Sequence, residues 1–96
     1  MKTKLSVSSI VNVNKQAFSC NLDQEVVVLG IKDGIYYGLD NLGSFIWNLI
    51  QEPVVVEKVR DVILEKYEVE KSVCESDLMN FLQNLEEKGL LEVQNE

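Results

Sequence analysis

The side chains best suited to chemistry in this chain of 96 residues are two cysteines, Cys20 and Cys74, and a set of carboxylates; there is no histidine. The commonest general base and the commonest metal ligand are therefore both missing. Two thiols supply at most one disulfide, and are too few for a structural zinc site without carboxylate help. Cys74 falls near the start of a helical segment, where the backbone dipole lowers a thiol pKa, but no imidazole exists to act as its base. Asp40 lies where strand periodicity gives way to helix, a position that suits a capping carboxylate. Asp77 is different. It sits beside an apolar stripe, one residue before Leu78, where a partly shielded carboxylate accepts hydrogen bonds from a partner or from neighbouring backbone. This inventory fits a binding module with no catalytic residue, metal or cofactor better than it fits an enzyme.

Two kinds of periodicity must position these residues, and they meet near residue 40. Before it, alternation dominates. Leu5, Val7, Val11 and Val13 share odd positions, as in an extended arm or short strand over residues 1–15. Phe18, Cys20 and Leu22 share one side of the next strand, and Asp23-Gln24 forms a turn. Glu25–Ile31 is a β-branched run of the kind found in a well-covered strand. Lys32-Asp33-Gly34 signals a hairpin, because Gly34 tolerates the positive φ that closes a short loop. The returning strand, Ile35–Leu39, divides its side chains: Ile35, Tyr37 and Leu39 on one face, Tyr36 and Gly38 on the other.

After Asp40 the spacing is helical. Leu42, Phe45, Ile46, Leu49 and Ile50 form one stripe, with Trp47 off it and directed at another element. Pro53 ends this helix and opens a second, with Val59, Val62, Ile63 and Tyr67 inward; Val54-Val55-Val56 has poor helix propensity and leaves the boundary soft. A third helix starts at a capping box, Ser72 with Glu75, buries Cys74, Leu78, Phe81, Leu82 and Leu85, and stops at Gly89. Leu90–Val93 adds a short strand before a polar tail, residues 94–96. Strands first and helices after predict an α+β domain over residues 16–93: winged helix-turn-helix-like, a three-stranded antiparallel N-terminal sheet followed by three α-helices. A chain this short buries roughly 65% of its unfolded surface, enough for one modest core.

Charge narrows the function. The net charge is −7. Residues 1–48 balance four lysines against four carboxylates, so residues 49–96, with five basic and twelve acidic groups, carry all of it. Such a half repels phosphate backbones and anionic lipid. A winged helix is usually a DNA reader, yet Val73–Lys88 sets Glu75, Asp77, Glu86 and Glu87 against Lys88 alone. Neither nucleic acid nor membrane is an expected partner. No apolar run is long enough to cross a bilayer, and no signal peptide is read at Met1–Leu5, so reduced thiols and a cytoplasmic location are expected.

The strand Ile35–Leu39 presents a further expectation. If the first strand of the sheet pairs on the far side of Val26–Ile31, Ile35–Leu39 is an edge with neither charge nor proline to blunt it. Such an edge is either covered by the chain's own polypeptide or used to receive a strand from a partner.

The segment Gly34–Ile50, with Tyr36-Tyr37, Leu39-Asp40 and Gly43-x-x-Ile46-Trp47, resembles the signature of PqqD-like proteins. Tyr67-Glu68-Val69 and Asp77-Leu78-x-x-Phe81-Leu82-x-x-Leu85-x-x-x-Gly89-Leu90 resemble the rest, over roughly residues 16–93. Asp40 departs from the pattern, standing where the family usually has asparagine; it caps a helix equally well. The resemblance implies a RiPP recognition element, a non-catalytic domain that binds the leader of a ribosomally made precursor peptide. The leader adds as an antiparallel strand to the third strand of the sheet and lies against the third helix. Carried onto this chain, that site comprises Ile35, Tyr36, Tyr37, Gly38 and Leu39 from the strand and Cys74, Asp77, Phe81 and Asn84 from the helix, with the opposite flank, Glu75 and Met79, left open. A standalone domain of this size resembles the leader-binding protein of lasso-peptide clusters, whose partner is a separate cysteine leader peptidase. The alternative is a peptide chaperone for a radical SAM enzyme, as in PQQ synthesis. Either a monomer or a dimer is compatible with an open edge.

Overall fold

In the computed structural model, which describes residues 5–23 and 25–94, the two periodicities become two small sheets and three helices. Gln24 of the expected turn, the last two residues of the polar tail and the first four residues lie outside the described residues. The first sheet joins β2 (Phe18–Leu22), β3 (Glu25–Leu29) and β4 (Tyr36–Gly38), antiparallel and in that order. This is the expected three-stranded sheet, followed by α1 (Asn41–Leu49), α2 (Val56–Lys66) and α3 (Lys71–Glu87). Gly34 (φ +69°) and Gly89 (φ +76°) occupy the left-handed region that their positions require.

A second sheet runs in the order β5 (Val54–Val55), β1 (Ile10–Val13), β6 (Leu91–Gln94). Its central strand comes from the segment read as an arm, and it is core: Val11 is fully buried, and it pairs with Val54 on one side and Val93 on the other. The terminal strand expected after Gly89 is β6. The soft boundary after Pro53 resolves as strand because a β-branched triplet loses side-chain freedom in a helix and packs well on a pleat.

Two expectations about the helices are corrected. The capping box does not form: α3 begins at Lys71 with Glu70 as N-cap and no side-chain cap bond. Glu75 instead accepts a 2.6 Å hydrogen bond from Nη1 of Arg60, a charge-assisted bond stronger than one to a neutral backbone N–H. In α1 the buried face is Gly43, Ser44, Ile46 and Trp47, while Leu42, Phe45 and Leu49 are half-buried. The stripe is rotated because α1 is wedged between the first sheet and the other helices.

Four hydrogen bonds order the start of α1 and fasten it to that sheet. Asp40 caps the helix by accepting from the Gly43 N–H at 2.7 Å. Buried Ser44 accepts from the Val26 N–H at 3.0 Å and donates to the Leu39 carbonyl at 3.3 Å. Trp47, 2% exposed, donates its indole N–H to Ser19 Oγ at 3.2 Å. Each satisfies a polar group that would cost about 1–3 kcal/mol if buried unpaired. Together they fix β3 and β4 relative to the helices.

Candidate functional site

The hydrogen-bond alternation along β4 determines which of its backbone groups are available. Gly30 donates to the Ile35 carbonyl and Leu39 donates to the Val26 carbonyl, both at 2.8 Å. These bracket the ladder in which Val28 faces Tyr37 and Val27 faces Gly38. In an antiparallel pair, bonded and non-bonded positions alternate. The Ile35 carbonyl and the backbone groups of Tyr37 and Leu39 therefore turn toward β3, while Tyr36 and Gly38 turn theirs to the other side. β4 is the end strand of its sheet, and among the described residues no backbone group pairs with that outer row. The edge is open.

The same alternation sorts side chains. Tyr37 shares the inner face with buried Val28; Tyr36 shares the outer face with Phe18 and Leu29, and Gly38 shares it with Cys20 and Val27. That outer face is apolar and bare: Phe18 is 72% exposed and Tyr36 70%. The expected division of Ile35, Tyr37 and Leu39 from Tyr36 and Gly38 matches the register, and Ile35, still half exposed, lies just before β4.

Opposite β4 stands one flank of α3. Asp77, Phe81, Asn84 and Lys88 follow at i, i+4, i+7 and i+11, a single line along a helix. Phe81 is half-buried, and its ring lies so close to Gly43 that a β-carbon there would approach within 3.2 Å; Leu39 Cβ would be 3.4 Å away. The glycine of Gly43-x-x-Ile46-Trp47 thus makes room for the ring that joins the end of β4 to α3. Two turns further toward the C-terminus, the Lys88 ammonium lies 5.0 Å from the centre of the Tyr37 ring. The opposite flank of α3 is engaged elsewhere, since Glu75 pairs with Arg60 of α2.

Electrostatics tie the hairpin to this wall. The Tyr37 hydroxyl donates to Asp33, and the Ile35 N–H donates to the same carboxylate at 3.0 Å. The tyrosine bond first, and the backbone bond second, hold the Asp33 carboxyl below its ordinary pKa; the same carboxylate raises the Tyr37 phenol. Cys74 is placed differently from the other candidates. It is 5% exposed within the core, and burial pushes its thiol up, outweighing the opposing influence of Arg60. Such a thiol is a poor nucleophile. Among the described residues, no group of three or more potential ligands could hold a metal ion.

The structure brings Phe81 and Leu39 together at Gly43 and sets Lys88 beside Tyr37, while Asp77 and Asn84 follow on the same line of α3. Local periodicity marks Lys88 only as the residue before Gly89; its spacing of seven from Phe81 is the signal that puts it on the same line of α3. Leu42 and Tyr67, which line a pocket beside Asp77, were read only as core stripe.

Comparison with known proteins follows the same geometry. No curated protein matches the chain. A structure of TbiB1 in complex with the TbiA(beta) leader peptide is similar over 88% of this chain and 99% of that one, with 38% identity and a TM-score of 0.78. A lasso peptide synthetase B1 complexed with a leader peptide shares the fold at 21% identity, over 85% of this chain and 96% of that one, TM-score 0.74. The solution structure of the PqqD truncation of Methylobacterium extorquens PqqCD, a stand-alone RiPP recognition element, shares it at 18% identity, over 94% and 96%, TM-score 0.75. Residues 25–91 match the family Coenzyme PQQ synthesis protein D (PqqD). A match over that span, which contains β3, β4 and all three helices, makes this chain a member of the PqqD family.

Proposed function

We propose that this protein binds the leader segment of a ribosomally synthesised precursor peptide by adding it as an antiparallel strand to β4, against α3. The observation that carries the reading is the open row of N–H and C=O groups on Tyr36 and Gly38, in a strand with Phe81 of α3 near one end and Lys88 near the other. Main-chain pairing gives register with little demand on sequence, and alternate side chains of the added strand meet the groove wall for selectivity. The similarity to TbiB1, solved with its leader peptide, supports the same reading. Ile35, Tyr37 and Leu39 shape the strand, and Asp77 and Cys74 line the space beyond its end.

Binding serves presentation. A tethered leader raises the effective concentration of its core peptide at whichever enzyme the complex meets. The partner enzyme in a lasso-type system is a separate cysteine leader peptidase, and the protein itself performs no chemistry in the cytoplasm where such a precursor is made. The similarity to B1 proteins favours this over delivery to a radical SAM enzyme, and an acidic α3 disfavours DNA reading by the winged-helix route.

The test is affinity for the leader of a short precursor peptide encoded beside this gene, measured by isothermal titration for the native protein and for Gly38→Pro. Proline lacks the outward N–H and should reduce affinity by at least tenfold, with the fold intact by circular dichroism. Unchanged affinity in a folded Gly38→Pro protein rejects pairing at that position.

A further inference from the structure

One turn of α3 before Phe81, beside Asp77, lies a pocket of ≈ 220 Å³ between the three helices. Leu42, Ile46, Ile63 and Leu78 give it an apolar wall, and two carboxylates, Glu68 and Asp77, line it as well. Both carboxylates belong to exposed residues, and neither forms an ion pair among the described residues; the ion pairs there are those of Arg60 with Asp61 and Glu75. Asp77 stands one helical turn before Phe81 on the same flank of α3, and Leu42 adjoins Gly43, against which the Phe81 ring packs. The pocket therefore lies next to the Phe81 ring, near the Leu39 end of β4.

Strand direction says which part of a bound peptide arrives there. A strand antiparallel to β4 has its N-terminal side at Leu39 and its C-terminal side at Tyr36. From Phe81 to Asp77 is about 6 Å along the helix axis, which an extended chain covers in about two residues. The arriving side chain meets apolar walls and two carboxylates without a cation. A long aliphatic stem ending in a positive charge satisfies both, since lysine and arginine bury their methylenes and keep the charged head at a polar rim.

We propose that this pocket seats a lysine or arginine of the bound peptide, about three residues N-terminal to the residue beside Gly38, with Glu68 and Asp77 accepting its hydrogen bonds. This assignment rests on the strand-addition reading above and names the side-chain chemistry that the reading leaves open.

The experiment is selection of a random 14-residue peptide library, displayed on phage, against the native protein, Gly38→Pro, and the double variant Glu68→Gln/Asp77→Asn. Both substitutions in the double variant are close in shape and lie at exposed residues, and circular dichroism checks each fold. Peptides recovered on the native protein should carry a basic residue at one constant offset from an alternating apolar segment. A synthetic copy of a recovered peptide should lose about tenfold in affinity when that residue becomes norleucine, and the loss should vanish on the double variant. If peptides depend on Gly38 but show no basic preference, or if the norleucine copy binds equally well, the pocket assignment is overturned while strand addition stands. If recovered peptides bind Gly38→Pro unchanged, or none is recovered, strand addition itself is rejected and the assignment falls with it.

Discussion

Lys88, the residue that caps the C-terminus of α3, holds its ammonium 5.0 Å from the centre of the Tyr37 ring in β4. At the other end of the same groove Phe81 lies against Gly43, next to Leu39. A helix and an edge strand that share few direct contacts are thus held apart by two side chains seven residues apart on the helix. What lies between them is a slot bounded by unpaired backbone on one side and by one helical flank on the other.

The hairpin that carries β4 has a titration signature. Asp33 accepts from the Tyr37 hydroxyl, and its folded pKa is lowered from 3.8. A lowered carboxylate contributes stability above the unfolded pKa and loses it as pH falls through the folded value, so the hairpin should loosen only below about pH 4. Carbon-detected NMR should follow the Asp33 carboxyl titrating below 3.8 in the native protein and moving upward in Tyr37→Phe. No movement in that variant would show that the hydroxyl is not the cause.

Phe81 joins groove to core, so truncation should register twice. Phe81→Ala should weaken leader binding by tenfold or more, as expected when an aromatic anchor is removed from an interface. It should also destabilise the fold by about 2–4 kcal/mol, because the ring is half-buried against core residues. Urea denaturation separates the two effects, and Phe81→Leu should recover most of the stability. Full leader affinity in folded Phe81→Ala would remove Phe81 from the groove wall.

Asp40 makes the cap bond to Gly43 at 2.7 Å. Asp40→Ala should cost about 1 kcal/mol in chemical denaturation, and Asp40→Asn should cost little, since both side chains accept at this position. A large loss in Asp40→Asn would assign the carboxylate a role beyond capping.

The two thiols should be distinguishable by reaction. Cys20 is exposed on the outer sheet face, whereas Cys74 is buried and its thiol raised by burial. A chromogenic disulfide reagent at pH 8 should titrate one thiol promptly in the native protein and the second only after denaturation. Prompt reaction of both would mean that the top of α3 opens readily.

Much of this arrangement was legible before any coordinates. The hairpin at Lys32-Asp33-Gly34, the face division of Ile35–Leu39, the cap at Asp40 and the stripe through Leu78, Leu82 and Leu85 follow from local periodicity and turn chemistry, which act over a few residues. What could not be read locally went astray or stayed open. Glu75 was expected to close a capping box on its own helix and instead pairs with Arg60, fifteen residues away, because a nearby guanidinium is the stronger donor. Cys74 and Asp77, one turn of α3, line the same pocket, Cys74 from the core and Asp77 from the surface, a shared site that local periodicity does not show.

The order of residues by itself determined where strands and helices form, that no imidazole is available for catalysis, and that the C-terminal half is too acidic for phosphate. Tertiary structure alone decided that Ile10–Val13 pairs with both Val54–Val55 and Leu91–Gln94, that β4 is an end strand, and that Phe81 and Lys88 of α3 come to its two ends. The reason is physical. Helix and turn preferences are settled by neighbours within about four residues, whereas strand partners and helix faces are chosen by which burial leaves the fewest polar groups unpaired across the whole chain.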